Sequence, residues 1–142
     1  MNTTQIDGIL RGRCAIYKGV YACDELPEKV DTPCVIVANT DPKRMSGEHW
    51  VAMYIGARGE YFDSFGMGPS LVFERYMNKN CLKWTFNGRQ LQSIISRFCG
   101  HYCIMYCVYR NNERDLNQML KCFTNDTALN DYLVHKFVCK ML

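Results

Sequence analysis

Three residues of the 142-residue chain have the types that thiol chemistry needs: Cys99, His49 and Asp63. Attack on a peptide carbonyl requires a thiolate, and a free cysteine is mostly protonated at neutral pH. Cys99 opens a segment, 99–110, that reads as a helix. A helix N-terminus lowers a thiol pKa because its unpaired N–H groups present partial positive charge. A neighbouring imidazolium lowers it further and later protonates the leaving amine, a part that His49 fits. The imidazole must be held in one tautomer, which a carboxylate on its other nitrogen does, and Asp63 fits that part. The tetrahedral intermediate needs donors for its oxyanion. The backbone N–H of Cys99 is one, and the amide of Gln92 or Gln90, both shortly upstream, is the other. Gly100, directly after the thiol, leaves room for substrate backbone.

Each of these residues alone has a plainer explanation. A histidine before a strand is more often structural, and a buried cysteine is usually a small hydrophobe. It is the combination, each member in a suitable local context, that points to a cysteine protease.

The elements that must position these residues can be read from periodicity. Thr3 or Thr4 caps a short helix carrying Ile6, Ile9 and Leu10. Residues 34–38, apolar and partly β-branched, read as a buried strand. Residues 50–55 form the next strand, Gly56-Ala57-Arg58-Gly59 a hairpin turn, and 60–65 the return strand. A helix over 71–77 and a strand over 82–86 follow. The bulky residues of 99–110 cover nearly the whole helical circumference, as in a central buried helix. A helix over 115–123 comes next. Asp126 or Thr127 then caps a last helix with Leu129, Leu133, Val134, Phe137 and Val138 on one face. The fold class is α+β, in one domain over 1–142.

The hairpin carries a constraint. Side chains alternate faces along each strand, so opposed residue numbers must have an even sum if His49 and Asp63 are to share a face. A two-residue turn at Ala57-Arg58 makes that sum odd and separates them. The loop must therefore be odd in length, carry a bulge, or leave His49 ahead of the regular strand.

Composition narrows the class. Hydrophobic residues make up 48% and charged residues 22%, ordinary for a folded domain. No apolar run reaches the length of a membrane span, and the N-terminal residues lack a secretory pattern, so an intracellular or virion-interior location is expected. Nine cysteines, an odd number, are expected to be mostly reduced. The net charge of +3 permits association with nucleic acid without demanding it. Arg11, Arg13, Lys18, Lys43, Arg44, Lys79, Lys83 and Arg89 are the candidate DNA-facing residues, against a plain solvated surface. A monomer is expected.

The chain resembles the adenovirus-type endopeptidases (adenain), and still more the related proteases of Polinton or Maverick transposons and allied viruses. It is more distantly similar to the SUMO and ubiquitin-like-protein proteases. The resemblance runs through Gly19 to Pro27, Asn39-Thr40-Asp41-Pro42, Gly47-Glu48-His49-Trp50, Tyr61-Phe62-Asp63-Ser64-Phe65-Gly66, Leu91-Gln92-Ser93 and Ser96-Arg97-Phe98-Cys99-Gly100. It implies a papain-like, adenain-like α+β fold: a central mixed sheet, with the nucleophile at the N-terminus of a buried helix. It implies His49, Asp63 and Cys99 as triad and Gln92, seven residues before the thiol, as the oxyanion amide. It further implies that Trp50 shields the catalytic pair and that Asp24 and Glu25 touch substrate main chain. The implied activity is processing of viral or transposon precursor (capsid) proteins beside small residues such as Gly. Adenoviral enzymes usually carry Glu as third member, whereas Asp63 matches the transposon and SUMO-protease branches. The chemistry requires no cofactor. The resemblance adds two candidates, DNA and an activating peptide disulfide-linked through a cysteine at the position of Cys81, although one thiol among nine fits that spacing by coincidence as well.

Three other readings remain open on sequence alone. A zinc site would use Cys99, Cys103 and Cys107, which recur every four residues, but the chain lacks the close Cys-x-x-Cys pairs of structural sites. A non-catalytic module of the same fold should have lost one of the four site residues. An isopeptidase for a ubiquitin-like modifier would share the chemistry and differ in substrate. Tyr17, Tyr21 and Trp50 are candidates for a substrate groove, or for core.

Overall fold

The computed structural model describes residues 1–45 and 49–142, so that Gly47 and Glu48 of the Gly-Glu-His-Trp segment lie outside the described residues. The first helix, α1 (Thr3–Leu10), is capped one residue earlier than the threonines suggest. The Asn2 side chain accepts the Gln5 N–H and the Gln5 side chain accepts the Asn2 N–H, both at 2.9 Å. This reciprocal pair satisfies two donors that a lone threonine would leave to water.

Five strands follow in chain order: β1 (Tyr17–Ala22), β2 (Cys34–Asn39), β3 (Trp50–Ile55), β4 (Arg58–Phe62) and β5 (Lys83–Phe86). They lie side by side in that same order. The outer pairs β1–β2 and β4–β5 are parallel and the inner pairs antiparallel, so the sheet is mixed. β1 is not evident from the sequence. Its pairing slips between Tyr17 and Gly19, and Gly19 sits at φ +147, so the alternation is broken where it would be read. β2 is buried at every position, because helices cover both faces of the sheet.

One face packs Ile36, Val51, Met53 and Tyr61 against α2 (Leu71–Asn80), through Phe73 and Met77. The other packs Val35, Val37, Ala52 and Phe62 against the remaining helices: α1, α3 (Cys99–Asn111), α4 (Leu116–Leu120) and α5 (Thr127–Cys139). In α3, Tyr102 to Cys107 are six consecutive buried residues, as expected of a helix enclosed by a sheet and three other helices. Cys103 and Cys107 fill space there. A buried carboxylate fixes α3 on the sheet: Glu60 accepts the Tyr106 hydroxyl at 2.7 Å and the Leu116 N–H at 3.1 Å, with the Arg110 guanidinium 3.5 Å away.

The buried face of α5 differs from the apolar stripe in the sequence. Leu129 and Leu133 are exposed, while Asn130 and Asp131 are buried beside Val134 and Val138. Hydrogen bonding accounts for the rotation. The Asn130 amide donates to the carbonyls of Leu91 and Thr124, its oxygen accepts the Thr124 N–H, and Asp131 accepts the Tyr102 hydroxyl at 2.8 Å. Buried polar groups are tolerated when satisfied in this way.

Candidate active site

The β3–β4 register pairs Ala52 with Phe62, Met53 with Tyr61 and Tyr54 with Glu60. It centres the turn on Ala57, so the loop is odd in length. His49 and Asp63 therefore fall on the same side, each one residue beyond the strand that carries it. His49 Nε2 lies 2.7 Å from Asp63 Oδ1, with both side chains largely buried. The imidazole also stacks on Phe65, with centroids 4.6 Å apart and ring planes 24° apart.

Asp63 is held from three directions. Its Oδ1 also accepts the Phe65 N–H at 2.8 Å, and its carbonyl accepts the Gly66 N–H at 2.7 Å, so residues 63–66 form a tight turn. Gly66 closes that turn at φ +75, where a Cβ would run into the backbone of Arg89 and Gln90. Asn87 brackets the residue, accepting its N–H at 3.1 Å and donating to its carbonyl at 2.6 Å.

Cys99 is the first residue of α3, and no side chain caps that end. The first N–H groups of a helix have no partner within the helix itself. Burial works against the charged thiolate. The neighbouring His49, whose imidazolium favours the thiolate, and the N–H groups of Trp50 and Gly100 outweigh it, and the thiol pKa falls below its ordinary value. Burial likewise disfavours a charged imidazole, but Asp63 and the thiolate raise the His49 pKa to about 9. With Nε2 committed to Asp63, Nδ1 is the nitrogen left for the thiol.

Gln92 and Cys99 line the same cleft, of about 740 Å³, with His49 and Trp50. The Gln92 amide is buried and its orientation is set: Oε1 accepts the Ser64 hydroxyl at 2.6 Å, and Nε2 donates to the Ser96 carbonyl at 3.1 Å. Ser64 in turn accepts the N–H groups of Leu91 and Gln92 on its carbonyl. Gln90 instead donates to the Gln92 carbonyl at 3.0 Å. Ser64 and Asn87 are site residues that the sequence reading did not single out. Ser64 adjoins Asp63, which was its only signal.

The other expected positions divide. Trp50 and Glu25 line the cleft, as does Tyr21, whereas Tyr17 is buried against Asp7. Asp24 does not line it; its carboxylate accepts the Lys43 N–H at 2.9 Å and holds that loop. Gly100 is buried, and a Cβ there would meet Met1, Ile6 and Trp50 at 3.2–3.4 Å. Its smallness admits α1 and Trp50, not a substrate backbone. Met1 also accepts the Trp50 indole N–H at 3.1 Å, which places the first residues along the cleft. Cys81 lies on the α2 face, 8% exposed, with its thiol pKa pushed up by burial, a poor setting for exchange with an incoming peptide thiol.

Among the described residues, no group of three or more His, Cys, Asp or Glu side chains is arranged to hold a metal ion, and no helix is long and apolar enough to cross a membrane. Several candidate DNA-facing cations are committed within the protein. Arg11 pairs with Asp7 and Lys43 with Glu25, while Arg13 and Arg89 donate to main-chain carbonyls.

No family model matches the chain, and no curated protein does. Solved structures do. The ASFV pS273R protease superposes with a TM-score of 0.67 at 19% identity over 94% of this chain and 66% of that one. A second crystal structure, of the selenomethionine form, gives 0.53 at 24% identity over 75% and 45%. SUMO protease Ulp1, with its catalytic cysteine oxidized to a sulfinic acid, gives 0.49 at 14% identity over 99% and 78%. The chain thus spans about half to two thirds of the length of the pS273R protease, and it has that protease's fold.

Proposed function

We propose that this chain is a cysteine endopeptidase of the adenain-like type that processes viral or transposon precursor (capsid) proteins beside small residues such as Gly. The reading rests foremost on the 2.7 Å His49–Asp63 pair beside a thiol at the start of α3. The fold shared with a protease supports it.

In this mechanism His49 and Cys99 form an imidazolium–thiolate pair, with Asp63 fixing the ring. The sulfur attacks the scissile carbonyl carbon and the C=O electrons move onto oxygen. The Cys99 N–H and the Gln92 amide N–H donate hydrogen bonds to that oxyanion. On collapse the C–N bond breaks and His49 gives its proton to the departing nitrogen, leaving a thioester and a free amine. His49, now neutral, takes a proton from water; the hydroxide attacks the thioester and releases the acid and the thiolate. No metal or organic cofactor enters these steps. DNA or an activating peptide would act by stabilising this arrangement, not by joining the chemistry.

The test is labelling with a peptide vinyl sulfone ending in Gly-Gly, mapped by mass spectrometry in wild type, His49→Ala and Cys99→Ala. Modification confined to Cys99, and much slower without His49, is expected. Labelling of Cys99 no faster than that of the other eight thiols, with and without DNA, would overturn the proposal. Cleavage of a SUMO or ubiquitin fusion, but not of Gly-containing precursor peptides, would reassign the substrate to a ubiquitin-like modifier.

A further inference from the structure

The His49 imidazole has to keep one orientation through a reaction in which it changes charge twice. Its own torsion does little to fix it, because the bond that carries the ring has a broad, shallow rotational profile. The hydrogen bond to Asp63 Oδ1 at 2.7 Å holds one nitrogen and leaves the ring free to tilt about that contact. A flat neighbour against the ring face removes the tilt. Phe65 is that neighbour: its ring stacks on the imidazole, with centroids 4.6 Å apart and planes 24° apart. The stack is tied to the acid as well. The Phe65 N–H donates to the same Asp63 Oδ1 at 2.8 Å, and the Gly66 N–H closes the turn on the Asp63 carbonyl at 2.7 Å. One four-residue turn thus sets both the carboxylate at the edge of the imidazole and the aromatic ring on its face. Phe65 lines the cleft with His49 and Cys99, so the stack lies at the reaction site itself.

We infer that Phe65 is a positioning residue for the base: its ring keeps His49 Nδ1 aimed at Cys99 and favours the charged form of the imidazole. The inference rests on the protease reading. The second effect follows from the aromatic quadrupole, whose negative face attracts a cation more than a neutral ring. Asp63 and Cys99 are the titratable groups that raise the His49 pKa, and Phe65 carries no charge of its own. A substitution at position 65 also keeps the backbone N–H that holds Asp63. A change in titration therefore reads the ring and not the acid.

The experiment follows kcat and KM on a Gly-Gly-containing peptide, and iodoacetamide alkylation of Cys99, across the pH range of thiol and imidazole titration. Wild type is compared with Phe65→Leu and Phe65→Tyr. Loss of the ring in Phe65→Leu destabilises the imidazolium and the thiolate it supports. The alkylation midpoint should therefore rise and the upper limb of kcat should fall, each by about half a pH unit to one pH unit. Plateau kcat should drop about tenfold with KM nearly unchanged. Phe65→Tyr keeps an aromatic face and should follow wild type. Pentafluorophenylalanine at position 65 keeps the shape and reverses the quadrupole, so it should move both limbs in the direction of Phe65→Leu even if that variant folds poorly. Limbs that stay in place in Phe65→Leu and in the fluorinated protein, whatever their kcat, make the ring a filler and overturn the role. A Phe65→Tyr protein shifted as far as Phe65→Leu overturns it too. Wild-type Cys99 alkylated no faster than the other thiols would instead count against the protease reading, and the role of Phe65 would fall with it.

Discussion

Replacing Ser64 with Ala should lower turnover without disturbing the thiol. The Ser64 hydroxyl donates to Gln92 Oε1 at 2.6 Å inside a site where both residues are fully buried. Its removal leaves an amide oxygen without a partner, at about 1–3 kcal/mol. That is enough to let the amide turn over or swing away from the cleft. Losing an oxyanion donor outright lowers kcat by roughly 100- to 1,000-fold. The Ser96 carbonyl still holds Nε2, so a loss of about 10- to 100-fold is expected for Ser64→Ala, with KM nearly constant. Two assays isolate the cause. Iodoacetamide alkylation of Cys99 develops no oxyanion and should proceed at the wild-type rate. The double variant Ser64→Ala/Gln92→Ala should be no slower than Gln92→Ala alone, because both act through one group. Unchanged kcat, or equal losses in turnover and alkylation, would refute the positioning role of Ser64.

Four further outcomes follow from the same geometry. Asp63→Asn should slow both alkylation and turnover, because the pairing that raises the His49 pKa to about 9 is lost; stopped-flow alkylation against pH reads the change. In wild type, turnover should rise with pH as the Cys99 thiolate forms and fall again as His49 loses its proton near 9, a bell whose upper limb moves down in Asp63→Asn. Gly66→Ala places a side chain at φ +75 against the Arg89 backbone and should destabilise the fold by about 2 kcal/mol or more, seen as a lower urea midpoint. Asn87→Ala should leave the fold intact and reduce kcat by roughly tenfold, by loosening the residue that orients the base.

What the sequence discloses and what it conceals follow from the range of the interactions concerned. β3 is legible to the residue because Trp50–Ile55 is an unbroken apolar run ending in a turn signal. The parity rule was equally local: it restricted the hairpin loop to a short set of forms, and the turn centred on Ala57 is one of them. Selecting Gln92 over Gln90 needed the family resemblance, since both lie at plausible distances from Cys99. Ser64 and Asn87 escaped notice because their partners are 28 and 24 residues away and become neighbours only through the sheet. The face of α5 was misread for a related reason. Periodicity counts apolar residues, and Asn130 and Asp131 are buried by hydrogen bonds to Leu91, Thr124 and Tyr102, which no local pattern contains.

The match between strand order and chain order has a consequence for biosynthesis. Every ladder joins strands that are consecutive in the chain, so no strand waits for a distant later one before it can pair. All five strands end by Phe86, and His49 and Asp63 are already in place in the chain by then, yet the thiol arrives only at Cys99. As the polypeptide leaves the ribosome N-terminus first, the scaffold and the base precede the nucleophile. The proposed activity is therefore withheld from the nascent chain until Cys99 has been made, with no separate inhibitory segment needed over that interval.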